Sequence, residues 1–105
     1  VGARGVISVA GNVAPREMRA LCDHALAGRA AEALAVHRKL LPLFRALFIE
    51  SNPAPAKFLL SAMGLCGNEL RLPLVAVERT TESAILTAAS ATGIALDVTP
   101  AVTPR

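Results

Sequence analysis

Two lysines are the residues of this sequence best suited to covalent chemistry. Lys39 and Lys57 are the only lysines in the chain. A lysine amine that is desolvated can lose its proton, attack a carbonyl carbon and form a Schiff base. Lys57 is the better candidate, because it follows a proline-rich turn and lies on a helix that is otherwise apolar. The alternative is an ordinary lysine whose ammonium group reaches solvent, and this alternative is the more common one.

The other reactive residue types form no complete catalytic or metal-binding pattern. Cys22 and Cys66 lie far apart in the sequence, and neither His24 nor His37 has metal-ligand spacing with them. Cys22 falls on the apolar stripe of a helix, which predicts a buried thiol. The glycines near the start of the chain match no nucleotide-binding motif. We therefore predict no catalytic residue, no metal site and no cofactor in this chain.

Composition and charge point away from nucleic acids and membranes. The net charge is +3, and the basic residues are interleaved with acidic ones instead of forming one basic face. Three Phe and no Tyr or Trp give few rings on which bases could stack. No apolar run reaches the roughly 18 residues that a membrane span requires. We expect neither nucleic acid nor a membrane among the partners.

The chain is apolar for its size. Hydrophobic residues make up 53% of the 105 residues and charged residues 18%, although small domains have much surface to cover with polar groups. Some apolar surface is therefore expected to face a partner or a further part of the same protein. The alternative is an alanine-rich helical domain whose alanines raise the count.

The first element that could position a functional residue is a short apolar run near the start. The β-branched residues Val6, Ile7 and Val9 lie between turn residues and predict a strand over residues 5–10. Both of its faces are apolar, which is typical of a strand buried on both sides in a parallel sheet. Nothing later in the sequence predicts a partner strand, and a lone buried strand cannot satisfy its backbone groups. The partner strands are expected to come from elsewhere.

The remainder of the chain predicts four helices and one long loop. Proline at position 15 suits the first helical position, and glycines at 28, 64 and 93 suit helix C-caps. Residues 65–73 are predicted to form a loop. The predicted helices cover about residues 15–27, 29–49, 55–63 and 80–92.

Two of these helices carry further local signals. Residues 40–49 are apolar nearly all round, which predicts burial on more than one side. Pro42 removes a backbone hydrogen bond there, so we expect a kink or break near Leu40. Thr81 is predicted to cap the start of the last helix. The tail beyond it has no periodic pattern and is predicted to be loose.

Three stretches share residues and order with a known enzyme family. The first is Gly2-x-x-Gly5-Val6-Ile7-Ser8-Val9 with Asn12-Val13-x-Pro15, the second is Leu47-Phe48-x-Glu50-x-Asn52-Pro53-x-Pro55-x-Lys57, and the third is Leu70-Arg71-Leu72-Pro73-Leu74. They resemble the eighth strand and loop, the C-terminal signature and the segment before the last helix of the dihydrodipicolinate synthase family. This family belongs to the pyruvate-dependent class I aldolases, together with N-acetylneuraminate lyase. The sequence departs from the family pattern at Ala3, where glycine is usual, and at Ser51, where proline is common.

The resemblance implies a fold class and a division of the chain. The full enzyme is expected to be an α/β protein, a (β/α)8 or TIM barrel. This chain is expected to be its C-terminal fragment, with one β-strand and mostly α-helices. Residues 1–28 are the last strand and helix of the barrel in this interpretation, residues 29–97 are the C-terminal helical extension, and residues 98–105 are the loose tail.

The resemblance also implies an activity. The family condenses pyruvate with aspartate semialdehyde through a Schiff base, giving 4-hydroxy-tetrahydrodipicolinate in lysine and diaminopimelate biosynthesis. Its members are typically cytoplasmic homotetramers that need no cofactor. The alternatives are a related aldolase similar to N-acetylneuraminate lyase, because the residues that select the second substrate lie upstream, and a non-catalytic helical interaction module.

One site residue is implied by the resemblance within this chain. Ile7 matches the family residue that lines the pyruvate site next to the imine. Lys57 matches the lysine of the C-terminal signature and not the catalytic lysine. The catalytic lysine, the tyrosines of the proton relay and the feedback lysine site lie upstream in the family, and this chain contains no Tyr.

Overall fold

The computed structural model describes residues 2–95, which form one short 3₁₀ helix and four α-helices. In chain order they are the 3₁₀ helix Ala10–Asn12, α1 Pro15–Leu26, α2 Ala30–Ala46, α3 Ala54–Ala62 and α4 Arg79–Thr92. The predicted helices are confirmed, and the predicted loop after α3 is confirmed as well. The predicted loose tail over residues 98–105 lies outside the described residues. Within the described part, no helix has both the length and the apolar character needed to cross a membrane.

The prediction of a strand over residues 5–10 is wrong for this chain by itself. Residues 2–8 have no regular secondary structure, and the 3₁₀ helix begins at Ala10. The predicted burial on both faces is also wrong, because Ile7 is 106% exposed and Val6 is 58% exposed. A strand forms only when a neighbouring strand pairs with its N–H and C=O groups, and residues 2–95 supply no such neighbour.

The hydrophobic core is centred on the second half of α2. Leu40, Leu43 and Leu47 are 0% exposed, and their spacing places them on one face of the helix. α1 and α4 pack against α2, and α3 packs against α4. Leu59 of α3 and Ile85 of α4 are also 0% exposed and complete the same cluster. The four helices therefore share one core.

The expected break near Leu40 is absent from α2, and the alternative of a kink there stays a prediction. The helix continues through Pro42 to Ala46. Proline deprives the carbonyl four residues earlier, that of Arg38, of its helical partner. Both Pro42 and Arg38 are exposed, so water can bind this carbonyl. The buried leucines on the opposite face hold the helix together across the missing hydrogen bond.

The expected burial of residues 40–49 on more than one side is wrong. Phe48 is 60% exposed and Ile49 is 53% exposed, although Leu47 between Ala46 and Phe48 is fully buried. Only one face of this stretch meets the helical core, because no other element of the described chain covers the opposite face. The expected surplus of exposed apolar surface is present here.

The predicted glycine caps are confirmed. Three helices end in a turn whose glycine has a positive φ, namely Gly28 at 76°, Gly64 at 77° and Gly93 at 77°. After α1, the backbone N–H of Arg29 donates to the carbonyl of His24 at 2.8 Å, which is the long hydrogen bond of a Schellman motif. Glycine is suited to these turns because it has no β-carbon to oppose the left-handed conformation.

The predicted cap at Thr81 is wrong. α4 begins at Arg79, and the N-cap residue is Glu78, whose side chain makes no capping hydrogen bond. Thr81 lies inside the first turn and is 5% exposed, so it is not the N-cap residue. The backbone N–H of Glu78 donates instead to the Glu50 carboxylate at 2.9 Å.

We expect a truncation in the core to cost far more stability than the same truncation on the exposed side of the same helix. Leu43→Ala should lower the free energy of unfolding by about 3 kcal/mol, because it leaves a cavity among buried side chains. Leu34→Ala is the matched control, since Leu34 is also in α2 but is 45% exposed. Its effect should stay below about 1 kcal/mol.

The free energy of unfolding of both variants can be measured by urea denaturation, followed by far-ultraviolet circular dichroism. Equal losses of stability in the two variants would contradict a core centred on the second half of α2.

Candidate functional site

Ile7 lies at an open apolar groove of about 420 Å³. One wall of the groove is the irregular segment of residues 6–10, and the other wall comes from α1, α2 and the turn that follows α2. The side chains of the second wall are Met18, Leu21, His37, Phe44 and Phe48. The groove therefore lies along the segment that was predicted to be a strand.

The carboxyl end of this segment is fixed to the helical core, whereas Ile7 is not. Val13 and Ala14 are 2% and 1% exposed and anchor the chain just before α1. The Gly11 N–H donates to the Ser8 side-chain oxygen at 3.3 Å, which stabilises the 3₁₀ turn. Upstream of this turn, residues 2–7 make no backbone hydrogen bond within the described chain. Ile7 is thus held close to a rigid anchor but remains open on both sides.

The groove contains little that could carry out chemistry. Its polar side chains are Ser8 and His37, and the His37 ring packs at a tilt of 47° against Phe44 with 5.6 Å between the ring centroids. No lysine, cysteine or carboxylate lines it. The groove can therefore bind an apolar surface or pair with another backbone segment, but it lacks a nucleophile. The role of Ile7 at a pyruvate site stays a prediction.

The structure keeps the two lysines away from Ile7. Lys57 is half-buried in α3 and lines a separate depression together with Glu69 and Arg71. Lys39 is exposed on α2, in agreement with an ordinary surface lysine. Because Lys57 and Ile7 line different depressions, residues 2–95 do not assemble a Schiff-base site.

The predicted burial of Cys22 is only partly correct, because its side chain is half-buried. It lines a small depression beside Gly5, Val6 and Leu21. The apolar stripe of α1 faces the irregular segment at this point, and the segment does not cover it as a paired strand would. The exposure of Cys22 has the same cause as the exposure of Ile7.

No metal centre is present in the part of the chain that the structure describes. Residues 2–95 contain no group of three His, Cys, Asp or Glu side chains that could hold a metal ion. The Nδ1 atom of His24 accepts a hydrogen bond from Nε of Arg29 at 3.0 Å, so this histidine has a local structural partner.

Sequence reasoning missed the aromatic wall of the groove. Phe44 and Phe48 were expected to be buried within an all-round apolar helix, but they form the wall that faces Ile7. Their spacing of four residues places them on one side of α2 and the turn after it. This spacing is the signal that could have identified them as one surface.

Comparison with known proteins gives one consistent result. The model of the Dihydrodipicolinate synthetase family matches residues 1–92. The 4-hydroxy-tetrahydrodipicolinate synthase of Stutzerimonas stutzeri is 47% identical over 94 residues, which are 90% of this chain and 32% of that protein. The enzyme of the same name from Thermotoga neapolitana is 55% identical over 82 residues, which are 77% of this chain and 28% of that protein.

Solved structures agree with the sequence matches. The crystal structure of dihydrodipicolinate synthase from Thermotoga maritima superposes with a TM-score of 0.87 at 45% sequence identity, over 90% of this chain and 32% of that one. The chain thus spans about a third of the length of the relatives that it matches. The family model covers nearly the whole of this sequence, and the helical arrangement is shared with a solved member. The chain belongs to the dihydrodipicolinate synthetase family.

Proposed function

We propose that this chain is the C-terminal part of a pyruvate-dependent class I aldolase. The proposed reaction is the condensation of pyruvate with aspartate semialdehyde to 4-hydroxy-tetrahydrodipicolinate, in lysine and diaminopimelate biosynthesis. The observation that carries the proposal is the similarity in sequence and fold to 4-hydroxy-tetrahydrodipicolinate synthases over about nine-tenths of the chain, 90% in both the S. stutzeri and T. maritima comparisons. The enzyme is proposed to be a cytoplasmic homotetramer, as the family resemblance implies.

The open N-terminal segment supports a role in completing a barrel. Residues 5–10 are proposed to become the last strand of a (β/α)8 barrel when the preceding strands are present, with α1 as the last barrel helix. A central strand in a parallel sheet is apolar on both faces, and residues 6–9 are apolar at three of four positions. The helices from residue 29 onward are proposed to be the extension that follows the barrel.

Ile7 is proposed to line the pyruvate site. Ligand contacts of a TIM barrel lie at the carboxyl ends of its strands, and Ile7 lies just before the anchored turn at Ala10–Asn12. Its side chain is fully exposed in this chain, so it is free to face a ligand inside a closed barrel. An apolar side chain there can pack against the substrate and exclude water, but it cannot act as an acid, a base or a nucleophile.

The proposed chemistry requires residues beyond this chain. In a class I aldolase, a lysine amine attacks the ketone carbon of pyruvate and water leaves to give an imine. Loss of a proton from the methyl carbon beside the imine gives an enamine, whose carbon attacks the aldehyde. Lys39 is exposed and Lys57 lies away from the groove. The catalytic lysine and the residues that select the second substrate are therefore proposed to lie in the preceding part of the polypeptide.

Trapping the Schiff base in the full polypeptide that contains this chain tests whether the catalytic lysine lies outside residues 1–105. The protein should condense pyruvate with aspartate semialdehyde and should not cleave N-acetylneuraminate. Borohydride in the presence of pyruvate should reduce the imine to a stable secondary amine, and peptide mass spectrometry should locate it outside residues 1–105. An adduct on Lys57 would refute the proposed position of the nucleophile, and cleavage of N-acetylneuraminate alone would refute the proposed reaction.

Substitution of Ile7 tests its proposed place at the pyruvate site. In the same full polypeptide, Ile7→Ala should raise the KM for pyruvate about tenfold, because the loss of several methyl and methylene contacts weakens binding by this order. Ile49→Ala is the matched control, since Ile49 is also exposed, at 53%, but does not line the groove. It should leave the KM for pyruvate unchanged. Equal kinetic constants for Ile7→Ala and the parent protein would show that Ile7 does not line the pyruvate site.

A further inference from the structure

Glu50 links two helices that are far apart in the sequence. It follows the end of α2, and its Oε2 atom accepts a hydrogen bond at 2.9 Å from the backbone N–H of Glu78, which is 28 residues away. Glu78 is the residue just before α4 begins. The side chain of Glu50 therefore connects the turn after α2 to the N-terminus of α4.

α4 needs an acceptor at this end. The first N–H groups of a helix have no partner within the helix, and a negative charge beside them is favourable because of the helix dipole. The side chain of the N-cap residue Glu78 makes no capping hydrogen bond. The carboxylate of Glu50 takes this place from a distant part of the chain.

The surroundings favour the ionised form of Glu50. The hydroxyl group of Thr81 and the backbone N–H of Glu78 both hold the pKa of this carboxyl below its ordinary value of 4.5, and desolvation opposes them. Thr81 is 5% exposed, so its position beside the carboxyl is fixed by the core.

No cation competes for this carboxylate among residues 2–95. The depression around Glu50 is lined by Ser51, Ala54, Pro73, Leu74 and Val75, none of which titrates. The charged groups at the end of α2, on α3 and at the start of α4 are Arg45, Lys57, and Glu78, Arg79 and Glu82. None of the three basic side chains forms an ion pair with Glu50 in the described chain.

We propose that Glu50 is a positioning residue whose carboxylate caps α4 from across the chain and fixes the start of this helix against the end of α2. The C-terminal end of the loop of residues 63–78 is thereby fixed in position. This contact also holds α4 so that Ile85 stays in the core. This role does not depend on the aldolase reaction. The cap is stronger while Glu50 is ionised and weakens when Glu50 is protonated, because a neutral carboxyl is a poorer hydrogen-bond acceptor.

The sign of the pH effect follows from the direction of the shift. The pKa of Glu50 is lower in the folded chain than in the unfolded one, so the stabilisation is complete above pH 4.5 and is lost as the pH falls through the folded pKa. The first turn of α4 should therefore loosen in acid before the buried part of the helix does.

Hydrogen–deuterium exchange tests the proposal in the full polypeptide that contains this chain. The readout is the exchange of a peptide covering residues 76–84, corrected for the intrinsic effect of pH. At about pH 7, Glu50→Ala should speed this exchange roughly threefold or more, as expected for a lost cap. As the pH falls below 4.5, the parent protein should lose protection there, and Glu50→Gln should show no such change because its amide does not titrate.

Glu69→Gln is the matched control, because Glu69 is exposed and forms no hydrogen bond within the described chain. It should keep the pH dependence of the parent protein. Unchanged exchange in Glu50→Ala would overturn the proposed cap, and a pH dependence that persists in Glu50→Gln would assign the acid effect to another group. Glu50→Gln keeps a hydrogen-bond acceptor, so it remains informative if Glu50→Ala does not fold.

Discussion

A β-strand exists only when another strand pairs with its backbone, and this constraint explains the apolar surface that is exposed around residues 5–10. Residues 2–8 have the composition of a buried strand but no regular structure. Without a paired strand, Ile7 is fully exposed, the α1 face around Cys22 is only partly covered, and an apolar groove of about 420 Å³ remains open beside Phe44 and Phe48. These features are separate observations with one cause.

The helical part of the chain, in contrast, needs no paired strand to bury its core. Leu40, Leu43 and Leu47 bind the other helices into one core, and glycine-containing turns end three of the helices. The described chain measures 47 × 28 × 21 Å with a radius of gyration of 14.7 Å. A compact domain of this length would have a radius of about 13 Å. The helices form a unit, and the N-terminal segment lies along an open apolar groove.

Local signals in the sequence predicted the helices well. Proline at the start of α1 and glycines after three helices act within one turn of the chain, so they can be identified without knowledge of the fold. The strand could not be predicted correctly, because its existence depends on partners and not on its own residues. The same holds for Cys22 and Phe48, whose exposure depends on what covers them. The contact between Glu50 and Glu78 spans 28 residues and has no local signal at all.

The exchange of the backbone amides of residues 5–9 tests the dependence on partner strands most directly. It should be measured in this chain alone and in the full polypeptide that contains it. We expect rapid exchange in the isolated chain and exchange slower by roughly a hundredfold or more in the full polypeptide, because these amides would then be paired within a sheet. Equally rapid exchange in both states, or strong protection in the isolated chain, would contradict the proposal that this segment becomes a strand only when partner strands are present.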